Sequence, residues 1–338
     1  MDIAAWAMKR KLPVVELYPP VVSEVQSHIT GDPMAQEEFT KHRQVLERPQ
    51  TLIAIENASV RDGVGFIELP DGQICYEGNW WLPYLQEHPA YRRHFFSKHQ
   101  HLKGNWYSLL CLWSSEYYHW FHDALPRLEN ALPHLPRDTR FLINEKPQAY
   151  QLESLAAYGI SAAKLALQPS GIRTRVERLW FATPVGHTSL GSGAVVQRVS
   201  DRLKKHILAG QTSSQTRRIY VSRRKAASRR VVNEAELEPL LKERGFDMVV
   251  LEDVAWTEQV RLFSAAEAII GPHGAGLMNM MFAHNDASVR EISALSQTVP
   301  CYLVLARQMG FHFHRLQATQ VGDEAAADMH LLPESIRS

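Results

Sequence analysis

The chain is short of several things, and each shortage removes a class of protein. It holds three cysteines in 338 residues, Cys75, Cys111 and Cys301. Sparse, scattered and odd in number, they make neither a disulfide framework nor a metal-binding spacing, and they fit a reducing compartment. No apolar run approaches the roughly 20 residues that cross a bilayer. The opening MDIAAWAMKRKLPVV is too short and too weakly apolar for a signal peptide. Charge of one sign is also lacking, with 37 Lys and Arg against 36 Asp and Glu. No whole-molecule field draws the chain to nucleic acid or to an anionic membrane, so an anion site has to be a local cluster. What is present is the make-up of an ordinary globular protein, 45% hydrophobic and 22% charged, in a chain long enough for two domains.

Residues 1–49 read as polar and irregular, with helix expected over about 34–47. Residues 50–80 carry short β-rich runs, TLIAIENASV, RDGVGFIELP and DGQICYEG, parted by Asp-Gly and Pro-Asp-Gly turns, which is a meander signature. From residue 104 strands and helices alternate: NWYSLLCLW, the helical SSEYYHWFHDALPRLENALPHL, RFLINEK, the helical QAYQLESLAAYG, KLALQP, RVERLWFAT and the amphipathic GAVVQRVSDRLKKHIL. AGQTSSQT, 209–216, has linker composition. A second alternating set follows: RRIYVSRR, the helical NEAELEPLLKERG with Gly245 as its terminator, FDMVVLED, the helical WTEQVRLFSAA, EAIIG, a glycine loop with a helix starting at Leu277, SVREI, the helical TVPCYLVLARQMG, and FHFHRLQATQ as a last strand. Such alternation predicts an α/β protein with parallel sheets covered on both faces. Two doubly wound domains facing a cleft are expected: an N-terminal extension over 1–103, a first domain over 104–208, a linker over 209–216 and a second domain over 217–338. In open sheets of this kind ligands bind beyond the carboxyl ends of the strands, which points at Ser222–Lys225, Gly271–Gly276 and Glu291.

Three groupings in the second half carry chemistry. In GPHGAG the residues Gly271, Gly274 and Gly276 permit close approach of a ligand to the backbone, the helix start offers unpaired N–H groups to an anion, and His273 can donate one more hydrogen bond. The loop lacks the Gly-Lys-Ser/Thr of a P-loop and the spacing of a dinucleotide fingerprint, so it also reads as a plain packing turn. Arg217, Arg218, Arg223, Arg224, Lys225, Arg229 and Arg230 form a basic cluster. Arg223 and Arg224 emerge at a strand end, where guanidinium forks can hold phosphate, or else the cluster is a solvated loop. A nucleic-acid patch is disfavoured because aromatic interleaving is absent. Glu291 at a strand end could accept ribose hydroxyls or pair with Arg290. In the first half, EYYHWFHDALPRLE places His119 and Asp123 at i,i+4 on one helix face. The helix is capped by Ser114 or Ser115 and kinked at Pro126, or it starts late with Pro126 in its first turn. Either residue could serve as general base, the set does not match a zinc pattern, and a plain core helix is the competing reading.

YYHWFHDALPRLE, IYVSRRKAASRRVVNEAELEPLLKERGF, VVLEDVAWTEQVRLFSAAEAIIGPHGAGLMNMMF and VREI, in this order and spacing, resemble glycosyltransferase family 61, the DUF563 or capsular-polysaccharide-biosynthesis group. The resemblance covers about residues 50–315 and is strongest over 217–292. It implies a GT-B fold of two Rossmann-like domains and an inverting transfer without a bound metal or other cofactor, from a nucleotide-sugar, UDP by default, to a hydroxyl of a glycan or glycoconjugate in cell-surface polysaccharide biosynthesis. It also implies that Ser222, Arg223, Arg224 and His273-Gly274-Ala275-Gly276 hold the donor diphosphate, that Asn233 shapes that pocket, that Glu291 holds the ribose, and that Asp123, with His119 second, is the base. The membrane anchor of Golgi members is not seen, so the cytoplasm is the expected location, with peripheral membrane association left open. The rival readings are a sugar-nucleotide epimerase or hydrolase and a non-catalytic nucleotide-sugar-binding module.

Overall fold

The computed structural model describes residues 3–24, 44–47, 49–75, 77, 99–186, 191–211, 216–294, 300–324 and 326–337. The chain forms two compact units, Met1–Val22 with Leu46–Val195, and Ser23–Val45 with Val196–Ser338. The division falls inside the helix Gly193–Leu208. The polar stretch 209–216 lies within the second unit, its residues 212–215 outside those described.

The second unit has the architecture that alternation predicts. The five strands of its main sheet are all parallel, in the spatial order Phe246–Val250, Arg217–Ser222, Ala266–Pro272, Ser288–Ser293, His312–Gln317. Counted along the chain this is the doubly wound order 2-1-3-4-5. From the strand Arg217–Ser222 the chain winds to one side, and from Ala266–Pro272 it winds to the other. The crevice left where the winding reverses is the ligand position of such sheets. The strands are apolar over both faces, as a covered sheet requires: only Glu267 is exposed in Ala266–Pro272. Tyr220, Leu237, Leu241, Ile270, Ile292 and Leu316 join a core that also takes in Met329, Leu331 and Ile336 from the end of the chain. The helix Glu234–Glu243 stops where Gly245 takes φ 73°, the left-handed terminator that glycine tolerates.

Two expectations change here. The segment expected as a helix from Leu277 is instead a run of 3-10 turns, Ala275–Phe282, Leu277 N donating to Gly274 O at 3.0 Å. Nor is His312–Gln317 the last strand, since Thr319–Val321 and Asp328–His330 follow as an antiparallel pair. That pair returns the chain to the basic loop. Met329 N donates to Arg230 O, Val232 N to Met329 O, and the Asn233 amide clips both backbone groups of Leu331.

The first unit is mixed rather than purely parallel. Leu165–Gln168, Arg140–Asn144, His99–Ser108 and Arg173–Ala182 run parallel. The long edge of Arg173–Ala182 is then completed by antiparallel partners, Gln50–Glu56 and Ser59–Arg61, with Phe66–Glu68 and Ile74–Cys75 continuing the meander. The β-rich segment is thus an extension of the main sheet. The irregularity expected over 1–49 also fails. Ile3–Lys9 is a helix burying Ile3, Trp6 and Ala7 at i,i+3,i+4, and Val14–Tyr18 pairs with Gln50–Glu56. Of the expected helix near 34–47, residues 34–43 lie outside those described and Gln44–Glu47 is a strand. All three cysteines are buried free thiols.

Candidate functional site

Each unit carries one constellation of polar groups. In the first, the helical stretch begins at Tyr117 behind Glu116, without a side-chain cap, and Ser114 Oγ instead accepts from Cys111 N. It runs through to Ala131, with a widened π turn over Trp120–Ala124 in which Leu125 N reaches Trp120 O. Pro126 accounts for the widening, because it has no N–H to give the carbonyl of His122. π turns of this kind gather side chains that an α-turn would space apart. Asp123 accepts from His119 Nδ1 at 2.7 Å through Oδ2 and from His122 Nδ1 at 2.9 Å through Oδ1. Burial pushes its carboxyl up, but the two imidazole hydrogen bonds outweigh burial and hold it at about 2. An ionised carboxylate only accepts, so both Nδ1 atoms carry protons, and a ring in its neutral form has its lone pair on Nε2.

The two histidines differ in access. The His122 side chain is 1% exposed, stacked on Tyr118 at 4.9 Å, and a Cβ at Gly191 would crowd its Cε1 at 3.0 Å. The His119 side chain is 16% exposed. Beside it lies Trp113, ring centroids 5.0 Å apart. Trp113 is exposed and sits at φ 59°, a region disfavoured for a bulky residue. Its turn is pinned from below: buried Arg127 donates to Leu110 O, Ser108 O and Ala182 O, Gln151 to Ser114 O, and Tyr150 to Ser115 O.

In the second unit, the ends of Arg217–Ser222 and Ala266–Pro272 meet at the reversal point of the sheet. A Cβ at Gly274 would stand 2.7 Å from the guanidinium carbon of Arg223, so that glycine exists for the arginine. A Cβ at Gly271 would meet Val221 Cβ at 2.9 Å, and one at Gly276 would meet Leu251 Cδ1 at 2.9 Å. All three are used for their missing side chain; none has a left-handed backbone. His273 is buried, its N donating to Ile292 O and its Nδ1 lying 2.5 Å from Glu291 Oε1. Tyr302 donates to Gly274 O at 2.7 Å and closes the loop from the helix Cys301–Gln308.

The structure brings Arg223, His273, Gly274, Ala275 and Gly276 to one place and sends other expected ligands elsewhere. Glu291 is fully buried, held between His273 and Arg315, whose Nε is 3.6 Å from Oε2. With no exposed surface it cannot receive a ribose hydroxyl, and it serves the histidine instead. Asn233 is buried and engaged with Leu331, so it braces the loop. Ser222 donates to Glu234 Oε2 at 2.7 Å and takes the Arg224 Nε–H at 3.1 Å; this trio ties Arg224 back. Tyr302, Arg315 and Trp113 were not foreseen. Arg315 is brought beside Glu291 by strand register, which leaves no trace in sequence. Among the described residues no group of three or more His, Cys, Asp or Glu side chains is placed to hold a metal ion, and no helix is long and apolar enough to cross a membrane.

Fold and site define an α/β protein whose second unit is a doubly wound parallel sheet with Arg223 and the glycine loop at its carboxyl edge. Comparison with known proteins says which kind. The family model "Glycosyltransferase 61" matches residues 117–290, just over half of the chain, and the chain belongs to that family. It is also similar to the EGF domain-specific O-linked N-acetylglucosamine transferase of Mus musculus, 31% identical over 101 residues, 28% of this chain and 19% of that protein. The chain thus matches about a fifth of that relative's length.

Proposed function

We propose that the protein is an inverting glycosyltransferase that moves a sugar from a nucleoside diphosphate, UDP in the first instance, to the hydroxyl of a glycan or glycoconjugate in cell-surface polysaccharide biosynthesis in the cytoplasm, on a GT-B frame and without a metal. The observation that carries the donor half is the seating of the Arg223 guanidinium against Gly274 at the sheet's reversal point. There the arginine, the amides of Ala275 and Gly276 that open the 3-10 run and His273 Nε2 would surround a diphosphate. Contact through Nε2 needs the doubly protonated ring, with Glu291 as its buried counter-charge.

The acceptor half rests on His119. In the reaction the acceptor oxygen bonds to the anomeric carbon on the face opposite the leaving group. Its proton goes to His119 Nε2, and the bond from that carbon to the phosphate oxygen breaks with both electrons leaving on the diphosphate. Asp123, preferred as base on sequence, takes a positioning role: a carboxyl held at about 2 is a weak proton acceptor near neutrality, whereas it fixes the tautomer of His119 as an orienting carboxylate does. Arg223 and the loop amides stabilise the charge that develops on the leaving group.

A melting-temperature screen against UDP, GDP and CMP sugars and their nucleoside diphosphates, with and without EDTA, tests the reading. A ligand at a hundred times its Kd stabilises by about 2.7 kcal/mol, so a shift of several degrees, unaffected by EDTA, is expected with one diphosphate series. Silence from every diphosphate would remove the donor site. Sugar release that is independent of added acceptor would favour a hydrolase.

A further inference from the structure

The loop from Arg223 to Arg230 carries five cations, and they divide into two kinds. Arg224 lies 3.6 Å from Glu234, Lys225 2.5 Å from Asp253 and Arg230 2.5 Å from Asp328. Among the described residues Arg223 and Arg229 have no carboxylate at ion-pair distance, and in each the Nε–H is buried without an acceptor. Those two are neighbours in space. Arg223 Nη2 donates to Ser228 O at 3.1 Å, the carbonyl bonded to the nitrogen of Arg229. Burial, and then the charge of Arg229, both weaken the hold of Arg223 on its proton. Arg229 also takes φ 55°, the left-handed region that glycine and asparagine enter far more readily than arginine.

Each of these features is unfavourable alone. Like charges repel, buried donors without acceptors forfeit hydrogen bonds to water, and the backbone is out of its preferred basin. An anion between the two guanidiniums relieves the first two together and gives the third a purpose. We propose that Arg229 is the second guanidinium of the donor seat, and that the Arg223–Arg229 pair selects a pyrophosphate group, two cations for two phosphates, over a single phosphate. The inference rests on the donor site assigned above and names a ligand-selecting residue within it.

Calorimetric titration of UDP, UMP and inorganic pyrophosphate into the wild type, Arg229→Gly, Arg229→Lys and Arg217→Gln tests it. Glycine suits the left-handed backbone, so Arg229→Gly removes the guanidinium with the loop conformation relieved of strain. Arg217→Gln removes the same charge at the amino end of its strand, where it pairs with Asp247. We expect Arg229→Gly to weaken UDP and pyrophosphate by about 10- to 100-fold and UMP by less, with Arg217→Gln unchanged. Arg229→Lys, which keeps charge and loses the fork, should fall between wild type and Arg229→Gly, and it carries the test should the glycine variant not fold. Equal affinities for UDP in wild type and both Arg229 variants would overturn the role of Arg229 and leave the donor site standing. A wild type that binds neither UDP nor pyrophosphate would overturn the donor site and the role of Arg229 with it.

Discussion

Among the described residues histidines meet a carboxylate at two places, Asp123 and Glu291, and exposure separates their work. Glu291 is closed off with His273, while Asp123 holds His119 at a surface. His119→Ala should lower the transfer rate by roughly 10²–10⁴-fold. Asp123→Asn should lower kcat by less than His119→Ala does, and Kd for UDP should be unchanged in both variants; near-normal turnover in His119→Ala with loss only in Asp123→Asn would restore the aspartate as base. Because the folded-state carboxyl of Asp123 lies at about 2, below its unfolded value of about 3.9, its contribution is fully present above pH 4 and lost as pH falls through 2. That amounts to roughly 2 kcal/mol, visible as acid-dependent melting that Asp123→Asn flattens. Gly274→Ala should weaken UDP at least about tenfold by pushing the Arg223 fork aside, a charge-assisted contact being what is displaced, with Tm little altered because Arg223 is only half-buried and its side chain can move; unchanged UDP binding would show that the glycine serves packing alone. The i,i+4 spacing of His119 and Asp123 was legible in the sequence. Which nitrogen faces which oxygen was not, and that decides between base and orienter.

At the scale of elements, alternation of apolar runs with amphipathic ones was enough to specify the parallel sheet of the second unit, since a strand covered on both faces has few residues it can use. It was not enough for the first. Ser59–Arg61, Phe66–Glu68 and Ile74–Cys75 are too short to show whether they pair among themselves or complete the edge of Arg173–Ala182. The spatial order of strands, which places Arg223 beside Gly274, is a property of crossovers that no local pattern encodes. The π turn has a sequence cause, Pro126, that reads equally well as a kink or a start. Arg127, which the sequence pattern did not single out, is buried, donating to three carbonyls and packed 5.2 Å over the Phe181 ring. Arg127→Met should cost about 2–4 kcal/mol in denaturant unfolding, because carbonyls at two strand ends lose their donors. A cost below about 0.5 kcal/mol would mean that water replaces the guanidinium there.

Across the whole molecule, near-zero net charge and a local cluster of cations belong together: attraction to anions is concentrated at one loop, most of whose charges are already matched by Glu234, Asp253 and Asp328. UDP binding should therefore weaken with salt far less steeply than a nucleic-acid interface, whose affinity tracks many released counter-ions; a fall of more than about tenfold between 50 and 200 mM NaCl would contradict this. The family match spans residues of both compact units, so the shared pattern is not confined to one of them. The residues after the last parallel strand, by contrast, lie beyond that match. They nevertheless grip the arginine loop at Arg230, Val231, Val232 and Asn233 through Asp328, Met329 and Leu331. The carboxyl-terminal hairpin works as a splint on the arginine loop, so trimming the chain ahead of Asp328 should let the cationic fingers drift out of alignment and also strip Met329, Leu331 and Ile336 from the core beneath the sheet.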